Sequence, residues 1–275
     1  MTRLDLFVPQ WQDSGHTNEI YRGSFALRSM VDEEVEFHDI RVNENDSLVT
    51  EHGVYGYRVI LAQLGQIRSS LDRFTPERVF TLGGGCGVEV PVVSYLKGRY
   101  GRLRLYWFDA HGDINSPESS PSKYFHGMPL RFLLEKLDTE GISELSPFIV
   151  RPEDVLLIGT RDLDEPERAY IQKNHIRMLT PLQCSDTISL EHAFEGSALE
   201  SCAYVHIDLD CIDPTEFQNV KCPAKGGLSI ATIDQLIGKV EQTATVVGLS
   251  ILENMETDRE ELEKLRPLIS HALKL

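Results

Sequence analysis

A three-layer α/β/α fold, with helices on both faces of a mostly parallel central sheet, is predicted by three features of the 275-residue chain. Short runs rich in Val, Ile, Leu and Phe alternate with longer segments of helical character. The apolar runs are continuous, as strands buried on both faces are. Polar segments rich in Gly and Asp follow directly after the runs, where the loops of a parallel sheet gather. No repeat, low-complexity tract or Pro/Ser-rich linker interrupts the pattern, so one domain over residues 1–275 is expected.

In chain order the strand candidates are LDLFV (4–8), VEFHDI (35–40), RVFTL (78–82), LRLYWFD (103–109), DVLLIG (154–159), AYVHIDLD (203–210) and VVGLSIL (246–252). Helical periodicity marks 55–74, 129–137 and 230–242, the last with Ser229 placed as an N-cap. The C-terminal RPLISHALKL suits either a cap over the domain or a joint to a neighbouring subunit.

Lys and Arg number 27 against 43 Asp and Glu, a net charge of −16. That sign repels nucleic acid and anionic lipid over long range, so neither is expected as a partner, whereas a small cationic substrate is attracted. No apolar run approaches the roughly 18 residues of a membrane span. The opening MTRLDLFVPQW lacks the basic-then-apolar plan of a signal peptide, and a cytoplasmic location is expected. Five cysteines (Cys86, Cys184, Cys202, Cys211 and Cys222) form no CxxC pair, which suits free thiols in a reducing compartment.

Ligands of parallel sheets bind beyond the carboxyl ends of the strands. Here GGGCG follows RVFTL, DAHGD follows LYWF, TRDLD follows LLIG, DLDCIDP follows YVHI and ENMET follows LSIL. In extended backbone side chains two apart point the same way, so Asp109, His111 and Asp113 are expected to face one direction, and Asp208 and Asp210 to share a face at the end of another strand. Four carboxylates and one imidazole are then expected on one rim. Partly buried, they cannot all stay ionised without counter-charge. Two divalent cations would neutralise them, and a carboxylate-rich set with one nitrogen donor favours hard ions such as Mn²⁺. Paired ions about 3.5–4 Å apart can share a bridging hydroxide as nucleophile. The plainer alternative is that these aspartates cap helices, form turns or pair with arginines.

Six motifs in order carry a resemblance along nearly the whole chain: GGGCG (83–87), DAHGDIN (109–115), HGMP (126–129), GTRDLDEPE (159–167), HIDLDCIDP (206–214) and GLSILEN (248–254). Through them the sequence resembles the ureohydrolases, that is arginase, agmatinase, formimidoylglutamase and their relatives. The resemblance implies that Asp109, His111, Asp113, Asp208 and Asp210 ligate a dimanganese pair, with Asp113 also in the catalytic machinery. It implies that His126 passes a proton to the leaving amine and that Glu253 pairs with the substrate guanidinium. Asn115 and Ser122 stand where the arginase branch reads the substrate α-carboxylate, and Asp164 where it reads the α-amino group. Asp164 suits an N-cap ahead of Glu165 and Glu167 equally well. A further arginase contact, usually Asn, is Tyr124 here. Asp213 and Pro214 are expected to shape the loop after the DxD pair.

One departure stands out. The family's GGDHS-like turn, whose histidine completes the more buried metal position, is GGGCG here, so Gly85 replaces the acid and Cys86 the ligand. Cys86 could bind as a thiolate, shifting selectivity from manganese towards zinc, iron or cobalt. Alternatively it is a small core residue and the site holds one ion or a weakly bound first ion, or the chain is a silent subunit that has lost turnover. His206 lies deeper in its strand than Asp208, where packing or a hydrogen bond behind a ligand is expected. The expected activity is that of a metal-dependent amidinohydrolase cleaving C–N bonds of linear amidines, with L-arginine to L-ornithine and urea as leading reaction. Agmatinase, guanidinobutyrase and formimidoylglutamase activities are the alternatives. Assembly as a homo-oligomer, trimer or hexamer, is what the resemblance implies.

Overall fold

A computed structural model describes residues 2–137, 139, 141–194 and 201–275 of the chain. Its strands are β1 (Arg3–Phe7), β2 (Phe37–Asp39), β3 (Thr50–Glu51), β4 (Val54–Tyr55), β5 (Arg78–Leu82), β6 (Leu103–Phe108), β7 (Val155–Ile158), β8 (Arg177–Leu179), β9 (Cys202–Asp208) and β10 (Thr245–Leu252). β3 and β4 pair with each other, and the remaining eight form one sheet in the order β2-β1-β5-β10-β9-β6-β7-β8. Every pairing in that sheet is parallel.

Helices α1 (Glu19–Arg28), α2 (Tyr57–Phe74), α3 (Glu89–Tyr100), α4 (Pro129–Leu134), α5 (Glu165–Lys173), α6 (Thr187–Phe194), α7 (Ile230–Thr243), α8 (Arg259–Glu263) and α9 (Arg266–Leu273) cover both faces. Alternation along the strands divides the core in two. Leu103, Leu105 and Trp107 pack with α2, α3, α4 and α5, while Tyr106 and Phe108 pack with α1, α7 and α9. The result is the three-layer arrangement expected from the sequence.

All seven predicted strands form within two residues of their expected ends. The edge strand β8 was not predicted, because its three residues, Arg177–Leu179, carry no β-branched run and owe their conformation to pairing with β7. Of the predicted helices, 129–137 stops at Leu134, where Glu135 turns to extended backbone. Ser229 caps α7 by accepting from the Thr232 amide. Helix α3 escaped prediction because EVPVVSYL is β-branched and buried on every side, which erases amphipathic periodicity. The C-terminal segment forms α9 and lies against α7, where His271 bridges Asp234 and Glu241 at 3.0 and 2.8 Å. Among the described residues no helix is long and apolar enough to cross a membrane.

Because the strands are parallel, their carboxyl ends share one edge. β5, β10, β9, β6 and β7 are consecutive neighbours there, so the segments following them converge on one stretch of rim.

Candidate metal centre

The turn after β5 is held tight by left-handed glycines, Gly83 at φ 82° and Gly84 at φ 87°. A Cβ on Gly84 would stand 2.4 Å from the Val8 carbonyl, so only glycine fits. This delivers Cys86, 1% exposed, into the rim. Its Sγ lies 3.1 Å from Asp208 Oδ2 and 3.8 Å from His206 Nε2.

The extended path expected for 109–113 is not observed. β6 ends at Phe108, the chain bends, and Asp113 takes the left-handed conformation at φ 52°. Likewise β9 ends at Asp208, and Asp210 sits in a 3₁₀ turn whose amide donates to Asp208 Oδ1 at 2.8 Å. Turns rather than strand alternation gather the aspartates. Oδ1 of Asp109 accepts from the His111 amide at 2.7 Å and Oδ2 from Trp107 Nε1 at 3.1 Å. Oδ1 of Asp210 accepts from the Ala110 amide at 3.0 Å, while Oδ2 stands 2.8 Å from His111 Nδ1.

Three donor groups result among the described residues. Cys86, Asp109, Asp113 and His206 each offer a ligand atom within 4.8 Å of the others, and so do Asp109, His111 and Asp210; Asp109 belongs to both. Cys86, Asp208 and Glu253 form a third such set. Adjoining groups that share a carboxylate are the arrangement a pair of cations requires.

These residues fit cations, and the evidence lies in their unmet needs. Asp109, Asp113, Asp208, Asp210 and Glu253 are all buried, and among the described residues none of their carboxylates takes a hydrogen bond from an Arg or Lys side chain. Asp113 Oδ2 and Glu253 Oε2 are buried with no hydrogen-bond partner. Burial, then the charge of Asp109, pushes the Asp113 carboxyl up; burial, then Asp210, does the same to Asp208. Asp210 is raised to about 6, chiefly by burial and Asp109. Burial would raise Asp109 too, but the imidazoles of His111 and His206 outweigh it and hold that carboxyl well below the usual range. Burial and Asp208 push the Cys86 thiol far up, so a thiolate forms there only beside a cation.

Above the aspartates opens a cavity of about 210 Å³ lined by His111, Asp113, Asn115, Ser122, His126 and Asp164 among others. Asn115 Nδ2 donates to Asp164 Oδ2 at 3.1 Å. Asp164 is at once cavity wall and N-cap of α5: Glu167 returns a carboxylate to its amide at 3.0 Å, completing a capping box. Glu253 is not part of that lining: it is fully buried, in left-handed backbone at φ 66°, accepting from Ser14 Oγ at 2.9 Å. Its Oε1 lies 3.4 Å from His126 Nδ1. Burial opposes charge on His126, but Glu253 and Asp13 outweigh it and raise the imidazole pKa. Tyr124 lies outside the lining and packs edge-on with His16. Asp213 accepts from Thr215 and from the Gly227 amide, shaping the loop as expected.

Several residues of the site were not singled out in the sequence. Asp13 follows β1, is fully buried, and is raised to about 7 by burial and Glu253. Glu89 opens α3 and accepts from His206 Nδ1 at 2.8 Å. Asp162, Glu167 and the exposed Cys222 line the cavity. Asp13 and Glu89 lack a motif: Asp13 lies in the polar run QWQDSGH with nothing to mark it, and the signal of Glu89, an acid set in an apolar stretch, is too common to single out.

The sequence model of the arginase family matches residues 18–260. The chain is similar to an arginase of Staphylococcus aureus (strain MRSA252), 28% identical over 271 residues that cover 94% of this chain and 85% of that protein. In three dimensions it is similar to the arginase from Bacillus caldovelox, with a TM-score of 0.82 at 21% identity over 100% of this chain and 99% of that one. It is also similar to Entamoeba histolytica arginase in complex with L-ornithine, with a TM-score of 0.82 at 18% identity over 99% and 98% of the two chains. At these identities the two structures speak for the fold alone.

Proposed function

The chain belongs to the arginase family, and from that premise we propose that it is a single-domain amidinohydrolase cleaving a C–N bond of a small guanidino compound, L-arginine foremost. The observation that carries this reading is the pair of donor groups sharing Asp109 beneath a cavity walled by Asn115, Ser122 and Asp164. Asp109, His111, Asp113, Asp208 and Asp210 would hold two divalent cations, with Cys86 a further ligand. When bound, such ions supply the charge that acidifies water and stabilises negative charge developing on a tetrahedral carbon.

The chain's own residues do the rest. Glu253, with one oxygen free of hydrogen bonds, is the counter-charge for a guanidinium. His126, 3.4 Å from that carboxylate and raised in pKa, carries a proton that it can hand to the departing nitrogen. Asn115 and Ser122 would hold an α-carboxylate and Asp164 an α-ammonium group. Those three separate an amino-acid substrate from agmatine or guanidinobutyrate, which lack one or other group. The protein is proposed to act in the cytoplasm as a homo-oligomer, trimer or hexamer.

The test is urea release over a panel of arginine, agmatine, guanidinobutyrate and related compounds, plus formamide release from formimidoylglutamate, after loading with Mn²⁺, Co²⁺ or Zn²⁺ and with bound metal quantified. Turnover fastest on arginine is expected. Near-zero metal after loading together with no turnover would leave the silent-subunit alternative in possession.

A further inference from the structure

The turn after β5 carries Cys86 where the family resemblance implies an imidazole, yet another imidazole stands at the same carboxylates. His206 lies on β9 two residues before Asp208 and is fully buried. We infer that His206 is the nitrogen ligand of the deeper cation, completing with Cys86, Asp109 and Asp113 a set of one imidazole, one thiolate and two carboxylates. This rests on the proposed function only in taking the rim as a dication site.

Spacing is the first argument. His206 Nε2 stands 3.8 Å from Cys86 Sγ and 3.8 Å from Asp109 Oδ2. The distance to Asp109 is too long for an N–H···O bond, and the one to Cys86 is no more than a long contact with a weakly hydrogen-bonding sulfur. Both distances match the edge of a coordination tetrahedron, since bonds of about 2.0–2.3 Å at tetrahedral angles put donors roughly 3.6 Å apart. A buried imidazole that served only packing would leave Nε2 without an oxygen partner.

Orientation is the second. Nδ1 is 2.8 Å from Glu89 Oε1, and Glu89 is fully buried. That carboxylate also accepts from the hydroxyls of Tyr204, at 2.5 Å, and Ser250. An acceptor on Nδ1 places the ring proton there and leaves the Nε2 lone pair facing Cys86 and Asp109, the carboxylate–histidine–metal arrangement. The ring stacks on Trp107 at 3.7 Å and 17°, and the same indole donates to Asp109 Oδ2, so one side chain positions both donors. Register makes this possible: Trp107 and His206 are paired across β6 and β9. The third argument is Asp113, 4% exposed, whose Oδ2 has no hydrogen-bond partner. A thiolate with an imidazole favours borderline dications such as Zn²⁺, Fe²⁺ or Co²⁺ over Mn²⁺.

Cobalt tests this without recourse to turnover. The chain loaded with Co²⁺ alone is expected to bind two equivalents by elemental analysis after dialysis and to show a near-ultraviolet thiolate-to-cobalt band. His206→Phe keeps a ring against Trp107 and removes the donor; it is expected to lose one equivalent and that band. Glu89→Gln is expected to weaken that equivalent 10- to 100-fold. A folded His206→Phe chain that binds two equivalents with unchanged affinity and spectrum overturns the inference. Should that variant not fold, cobalt-edge absorption on the unaltered chain decides. One imidazole per cobalt on average, with sulfur in the shell, supports His206; half an imidazole, the share His111 alone supplies, rejects it. Failure of all guanidino hydrolysis with two ions bound in this way would count against the proposed reaction and leave the ligand assignment standing.

Discussion

Asp13 and Gly85 compete for one space: a Cβ on Gly85 would stand 2.3 Å from Asp13 Oδ1. Asp13 is fully buried, with Oδ2 accepting from the Gly87 amide at 2.9 Å and Oδ1 from Ser14 Oγ at 3.0 Å. An acid from the loop after β1 thus occupies the space that a side chain at position 85 would take. Gly85→Asp is expected to destabilise the chain by about 3 kcal/mol or more, because it forces two carboxylates into one buried volume. Adding Asp13→Gly should recover at least half of that loss. Denaturant unfolding of the two single variants and the double variant in chelator measures the coupling, and additive effects would mean the two positions do not share a site.

Glu167 makes the metal-free protein sensitive to pH. Burial raises its carboxyl to about 7 even though the amides of Asp164 and Ile114 donate to it. A raised acid binds its proton more tightly folded than unfolded, so its stabilising contribution is full below about 4.5 and is lost as pH rises towards 7. In chelator the unfolding free energy is expected to fall across that window, and Glu167→Gln should flatten the slope by up to about 1.4 kcal/mol per pH unit. An identical slope in the variant would show that other groups take up the protons.

Arg161 ties the loops of the rim together. Its guanidinium donates to the carbonyls of Asp210 at 2.8 Å, Ala224 at 2.7 Å and Gly159 at 2.9 Å. Arg161→Ala leaves buried carbonyls without donors and is expected to cost about 3 kcal/mol of stability. Cobalt affinity should weaken as well, because the Asp208–Asp210 turn loses its anchor. Thermal unfolding and metal titration check the two effects separately.

Asp164 caps α5 and lines the cavity, and two substitutions can separate the cap from the proposed contact with substrate. Asn caps a helix as well as Asp does, so Asp164→Asn should unfold within about 0.5 kcal/mol of the parent, while Asp164→Ala should lose about 1 kcal/mol. Both should raise KM for α-amino-acid substrates more than for decarboxylated ones. Equal losses for the two substrate classes would confine Asp164 to its role as a cap.

Much of the fold was legible because burial on both faces writes itself along the chain. RVFTL, LRLYWF and VVGLSIL are mostly apolar without strict alternation, and each forms a strand in the interior of the sheet. The acids after them were legible for a related reason: a polar cluster directly behind a buried strand in a parallel sheet must stand at the shared edge. How the acids meet was less so. Asp113 and Asp210 are turned inward by a left-handed residue and a 3₁₀ turn, and neither has a local sequence signature as clear as periodicity.

The sequence by itself determined the alternation of strands and helices and the Asp-rich rim segments and, through the family resemblance alone, suggested the exchange of a histidine for Cys86. Only the tertiary structure decided which distant side chains stand beside that exchange. Asp13 fills the room left by Gly85, and His206 comes within 3.8 Å of Cys86. The reason is geometric. Periodicity records how one segment meets its surroundings, whereas shared space and donor distances depend on the register of β6 against β9 and on the order of strands that pair far from their place in the chain.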